Sequence, residues 1–133
     1  MGVFLCLAYY LETTFGRGLD KSTLQSPIFI ATSKVCLYFR YRISSPKIVL
    51  KIFEWTTAKP KFQLIETVLF SDQEGDASSW GDTTVELGEG VTQFQLVAEK
   101  TGLSSNIHYV MVDDVKLSPC PTKGKLFAFI LSI

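Results

Sequence analysis

The sequence predicts an all-β chain, with short antiparallel strands stacked as a sandwich or closed as a barrel. Three observations predict it. Apolar residues alternate along most of the chain and do not recur at steps of three and four. Val, Ile, Thr, Phe and Tyr are plentiful, and these residues fit a pleated, half-buried surface better than a helix. Clusters of Gly, Pro, Ser and Asn break the chain at the spacing of about eight to twelve residues typical of sandwiches and barrels.

Each element has its own justification. Residues 2–11 are apolar on both faces, like a buried strand. Residues 22–30 form a second strand with Pro27 inside it, and because proline cannot donate to a ladder it marks an edge or a bulge. In residues 36–42, Leu37, Phe39 and Tyr41 share one face while Arg40 and Arg42 share the other. Residues 47–55 repeat this pattern, with Ile48, Leu50 and Ile52 inward and Lys47 and Lys51 outward. Residues 62–70 form a further strand, and a polar loop, SDQEGDASSWGD, fills residues 71–82. Strands follow at 83–87, 91–100 and 108–117, the second with Phe94, Leu96 and Ala98 opposite Gln93, Gln95 and Glu99. No internal repeat is present.

A chain of 133 residues is one domain's worth and can bury a sizeable core. Its 13 basic and 13 acidic residues cancel, so it has no electrostatic footprint for nucleic acid and no basic stripe for an anionic membrane. The lone histidine, His108, removes most metal sites and most acid–base machinery. The start, MGVFLCLAYYL, is like the apolar core of a secretory signal but lacks its basic flank and small-residue cleavage site. The eight-residue run LFAFILSI at the end falls short of the roughly 20 apolar residues of a membrane span, so no complete transmembrane span is expected.

Candidate chemistry is sparse. Asp113 and Asp114 stand together in a strand, where neighbours point to opposite faces, so one carboxylate is expected inward and must be hydrogen-bonded or paired. The favoured reading is a structural buried acid accepting loop N–H groups; the alternative is a hard-cation site. Trp80 stands alone in the polar loop, as a recognition residue or, in the favoured reading, a plug for the end of the sandwich. Asp72, Glu74, Asp76 and Trp80 make that loop the candidate recognition loop. His108 has no G-x-S-x-G context for a hydrolase, and Asp72 and Glu74 look like a solvated surface rather than a glycosidase pair. Gly16-Arg17-Gly18 lacks the strand–helix setting of a phosphate loop. The cysteines Cys6, Cys36 and Cys120 have no C-x-x-C spacing for structural zinc, and Cys6 has no nearby basic residue to activate it. There is no N-x-S/T sequon.

Several patterns then fall into order: Leu24-Gln-Ser-Pro27, Cys36-Leu-x-Phe-x-Tyr41, Trp80 before a short strand, Phe94-Gln-Leu, and Val110-Met-Val-Asp-Asp-Val115-x-Leu followed by Cys120. This series resembles the MAM domain, an extracellular module of meprins, neuropilins and receptor-type tyrosine phosphatases. The resemblance spans residues 2–120, with residues 121–133 left as an apolar tail. The chain looks like a MAM domain without its first segment and that segment's cysteine pair. Met111 and Ser44-Ser45-Pro46 depart from the family pattern.

The resemblance implies an antiparallel β-sandwich of jelly-roll type and a disulfide between Cys36 and Cys120. It also implies a non-catalytic extracellular or cell-surface module for adhesion or receptor oligomerisation, with a protein partner that includes a second copy, and no cofactor or metal. Two alternatives are an accessory domain of a membrane-attached protease and a carbohydrate-binding jelly roll. The latter requires Trp55 and Trp80 both to face solvent.

Overall fold

The computed structural model describes residues 5–6, 11–15, 21–73, 79–101 and 108–120. Among them are ten strands: β1 (Leu5–Cys6), β2 (Leu11–Phe15), β3 (Lys21–Gln25), β4 (Phe29–Ala31), β5 (Val35–Ile43), β6 (Ile48–Thr56), β7 (Gln63–Leu69), β8 (Gly81–Leu87), β9 (Gly90–Lys100) and β10 (His108–Pro119). They form two antiparallel five-stranded sheets. The first runs β1–β10–β5–β8, with β2 also on β10; the second runs β3–β9–β6–β7, with β4 also on β9. The expected sandwich is therefore present.

The core lies between the sheets. Leu37, Phe39, Tyr41 and Ile43 of β5 and Val110, Val112, Val115 and Leu117 of β10 face Ile48, Leu50 and Ile52 of β6 and Phe94, Leu96 and Ala98 of β9. All fourteen are essentially solvent-free. Edge-on aromatic pairs add directional contacts, with Phe29–Phe94 centroids 6.4 Å apart and Phe39–Tyr41 centroids 6.3 Å apart.

Pro27 lies at a sheet edge, as expected, and the strand is divided around it. β3 ends at Gln25 and β4 resumes at Phe29, both on the same side of β9. Ser26 completes the ladder between them: its backbone N–H donates to the Phe94 carbonyl at 2.9 Å, and its Oγ accepts from the Phe94 N–H at 3.0 Å. Strand β2 was not anticipated. Its Thr13-Thr14 pair favours a strand, yet its neighbours Glu12 and Gly16 mask any alternation. Of the buried strand expected at residues 2–11, Leu5–Cys6 pairs with β10 and Leu11 opens β2, and the rest lies outside the described residues.

The expected inward acid is absent, because β10 carries a bulge. Asp113 is opposite Arg40 and Lys116 is opposite Tyr38, so the register slips between them. Asp114 adopts a left-handed backbone (φ 55°), a conformation that Asp tolerates better than most residues. Its N–H donates to Asp113 Oδ1 at 2.8 Å. The extra residue resets the alternation, so Val112 and Val115 both face the core, while Asp113 is half-buried on the outer side and Asp114 is exposed. The two acids are thus features of the surface.

Cys36 and Cys120 are joined by a disulfide, S–S 2.10 Å, across 84 positions of sequence. It fastens the β5 end of the first sheet to the residue following β10, where the Cys120 N–H also donates to the Lys34 carbonyl at 3.1 Å. The tail expected at residues 121–133 lies outside the described residues, as does the side chain of Cys6.

Candidate interaction face

The outward residues of β5 are Tyr38, Arg40 and Arg42, a consequence of the alternation that buries Leu37, Phe39 and Tyr41. Each of the three makes a cation–π contact. The Arg42 guanidinium sits 5.7 Å from the Tyr109 ring centre, that of Arg40 is 5.1 Å from the Trp80 ring, and Lys116 Nζ is 5.5 Å from the Tyr38 ring. Register explains the pairing. Tyr38 is directly opposite Lys116 on β10, and Tyr109 is the next residue but one outward from Met111, the partner of Arg42. The result is a row of rings and cations along the outer face of the first sheet.

Acids are interleaved with this row. Arg40 stands in register with Asp113 on one side and Asp82 on the other, and its Nη1 lies 3.8 Å from Asp114 Oδ2. At the far end of β5, Lys34 and the β8 residue Glu86 form an exposed ion pair at 2.9 Å, which raises the lysine's pKa through the hydrogen bond and charge of that carboxylate.

The loop expected at residues 71–82 is anchored to this sheet at both ends. It begins as a single 3-10 turn, Phe70–Asp72, where exposed Asp72 accepts the Leu69 N–H at 2.7 Å. Buried Gln73 then clamps β5: its Oε1 accepts the Ile43 N–H at 3.0 Å, and its Nε2 donates to the Ile43 carbonyl at 2.8 Å. At the other end Trp80 lies half-buried on Arg40, and Gly81 follows. Gly81 is required there, since a Cβ would sit 2.5 Å from Tyr41 Cζ. Burial, with Asp72 and Asp82 nearby, pushes the Tyr41 phenol above its ordinary value.

Of the four recognition-loop residues, Asp72 and Trp80 are thus in place, while Glu74 and Asp76 lie outside the described residues. Trp80 does not plug the end of the sandwich; the Arg40 guanidinium holds it against the sheet face. Trp55 is also half-buried, but it sits on the second sheet. The condition for the carbohydrate-binding alternative, that both tryptophans face solvent, is thus met only in part, since each is half-buried. Tyr38, Arg42, Tyr109 and Lys116 were missed as a set. Only the phase of β5 could have grouped Tyr38 with the arginines, and the β10 partners depend on cross-sheet register.

Among the described residues no group of three or more His, Cys, Asp or Glu side chains is placed to hold a metal ion, and no helix is long and apolar enough to cross a membrane. A search of curated proteins finds no match. A solved structure described as "CBM4 structure and function" is similar over 81% of this chain and 82% of its own, at 13% identity and a TM-score of 0.50. At that identity the likeness is one of fold, a β-sandwich. Compared with protein families, residues 6–121 match the family described as "MAM domain, meprin/A5/mu". With the match covering nearly the whole sequence and the sandwich and Cys36–Cys120 bridge in place, the chain belongs to the MAM domain family.

Proposed function

We propose that this domain is a non-catalytic extracellular protein-interaction module whose contact surface is the outer face of the first sheet. It acts in cell-surface adhesion or receptor oligomerisation. The observation that carries the reading is the row Tyr38, Arg40 and Arg42 with its ring and cation partners Lys116, Trp80 and Tyr109. Trp, Tyr and Arg are the residue types in which interface binding energy concentrates. Here they are held by one another on a rigid sheet, which lowers the entropy lost on docking. The disulfide supports an oxidising, extracellular setting.

The face carries Arg40, Arg42 and Lys116 beside Asp82, Asp113 and Asp114, charges of both signs. A second copy of the domain is therefore the first partner to test, because a surface of mixed sign can be complementary to itself. The assay is sedimentation of the purified domain together with aggregation of beads coated with it. Arg40→Glu and Trp80→Ala are expected to weaken association by about tenfold or more. Association equal in wild type and both variants, or absent from the wild type in both formats, removes this assignment of surface and partner.

A further inference from the structure

We infer that the outer face of the second sheet is a separate site for a neutral oligosaccharide. Two registered rows make it. Leu64, Phe53, Gln95 and Gln25 lie side by side across β7, β6, β9 and β3, and Trp55 lies beside Gln93 one step along. These side chains point away from the core, since the residues preceding Phe53 and following Gln95, Ile52 and Leu96, are wholly buried on the inner side. Leu64 is 51% exposed, Gln25 is exposed, and Phe53, Trp55, Gln93 and Gln95 are half-buried.

The chemistry of the rows selects the occupant. None of the six side chains is charged. The nearest charged pair on this face, Lys51 and Glu99, neutralises itself at 2.8 Å. An anionic ligand would therefore find no cation among these six side chains, and the lysine beside them is already paired.

The amides are pre-positioned. Gln95 Nε2 donates to Gln25 Oε1 at 2.7 Å, and Gln93 Nε2 donates to the Ser26 carbonyl at 2.8 Å. Among the described residues each bond leaves further amide atoms unused: Gln25 Nε2 as a donor, and Gln95 Oε1 and Gln93 Oε1 as acceptors. Such a mixture of fixed donors and acceptors suits hydroxyl groups, which both donate and accept. Beside them Phe53 and Trp55, two positions or about 7 Å of backbone apart along β6, supply apolar ring surface for the C–H faces of a sugar ring. A hydroxylated, uncharged ligand with apolar faces matches both halves of this surface. An apolar protein helix would leave the amides unpaired, and an acidic peptide would meet no positive charge among these six side chains.

The test is retention of the whole chain on immobilised neutral gluco-, manno- and galacto-oligosaccharides, run beside sulfated and sialylated counterparts. Titration calorimetry on any sugar retained follows. Binding to a neutral oligosaccharide is expected, weakened about tenfold by Trp55→Ala and by Gln25→Ala with Gln95→Ala, and unchanged by Trp80→Ala on the opposite sheet. Circular dichroism checks the fold of each variant; if Trp55→Ala unfolds the domain, the glutamine pair decides. No retention of neutral sugars, retention of the anionic sugars alone, or binding indifferent to the glutamine pair overturns the inference.

Discussion

Replacing Cys36 and Cys120 together by alanine removes the one bond that spans most of the folded chain. The two residues are 84 apart in sequence, while their Cα atoms are 4.9 Å apart in the fold. In the unfolded chain the bridge closes a loop of that length, and the chain-entropy relation values this at about 4.5 kcal/mol at 25 °C. The folded state loses less. Cys36 remains in register with Ser118, and the Cys120 N–H remains hydrogen-bonded to the Lys34 carbonyl, so the strands are held by their own ladder. Against a typical domain stability of about 5–15 kcal/mol, the variant should retain its strands at low temperature and melt on the order of 15 °C lower. Thermal melting followed by circular dichroism measures the drop, and thiol titration of the denatured, unreduced wild type should find one free sulfhydryl among its three cysteines. An unchanged melting temperature, or three titratable sulfhydryls in the wild type, refutes the reasoning.

Two further outcomes follow from single side chains. Gln73→Ala strands the buried N–H and carbonyl of Ile43, and should cost about 2–4 kcal/mol in urea unfolding; Gln73→Glu should not restore it, since a carboxylate cannot donate to that carbonyl. Tyr41 keeps its proton more tightly folded than unfolded, because burial and the nearby Asp72 and Asp82 raise its pKa above 10.0. Its contribution is complete below that value and is lost as pH rises through the folded pKa, so the urea midpoint should fall above about pH 10. Tyr41→Phe should flatten that fall, and a midpoint equally steep in the variant assigns the alkaline loss to other groups.

The inner faces of the long strands were legible because a period of two needs no tertiary information. Leu37, Phe39 and Tyr41, and likewise Ile48, Leu50 and Ile52, are buried as their alternation implies. Pro27 likewise marked an edge, which is where β3 and β4 lie. What failed is what depends on partners distant in sequence. The bulge at Asp114 is a matter of backbone and register, and unbroken alternation misplaces the acids on either side of it. Trp80 was expected at the end of the sandwich because nothing in its loop names Arg40, which lies 40 residues earlier and meets it only once β8 pairs with β5. Gln73 looked like any loop residue, yet its amide fills the position of a missing strand neighbour beside Ile43. The glutamines of β9 were legible as the outward set, but their pairing with Gln25 and Trp55 required the order of the second sheet.

The irregularity in the last strand makes its length negotiable by one residue. Position 114 projects into solvent, where polar side chains that accept a left-handed backbone can substitute for one another. Deleting it would leave a regular strand, with Asp113 opposite Arg40, Val115 opposite Phe39 and Lys116 opposite Tyr38, and every later side chain would keep the face it has now. Related sequences should therefore either keep at this position a residue that accepts a left-handed backbone or lack the residue altogether, with Val112, Val115 and Leu117 inward in both cases.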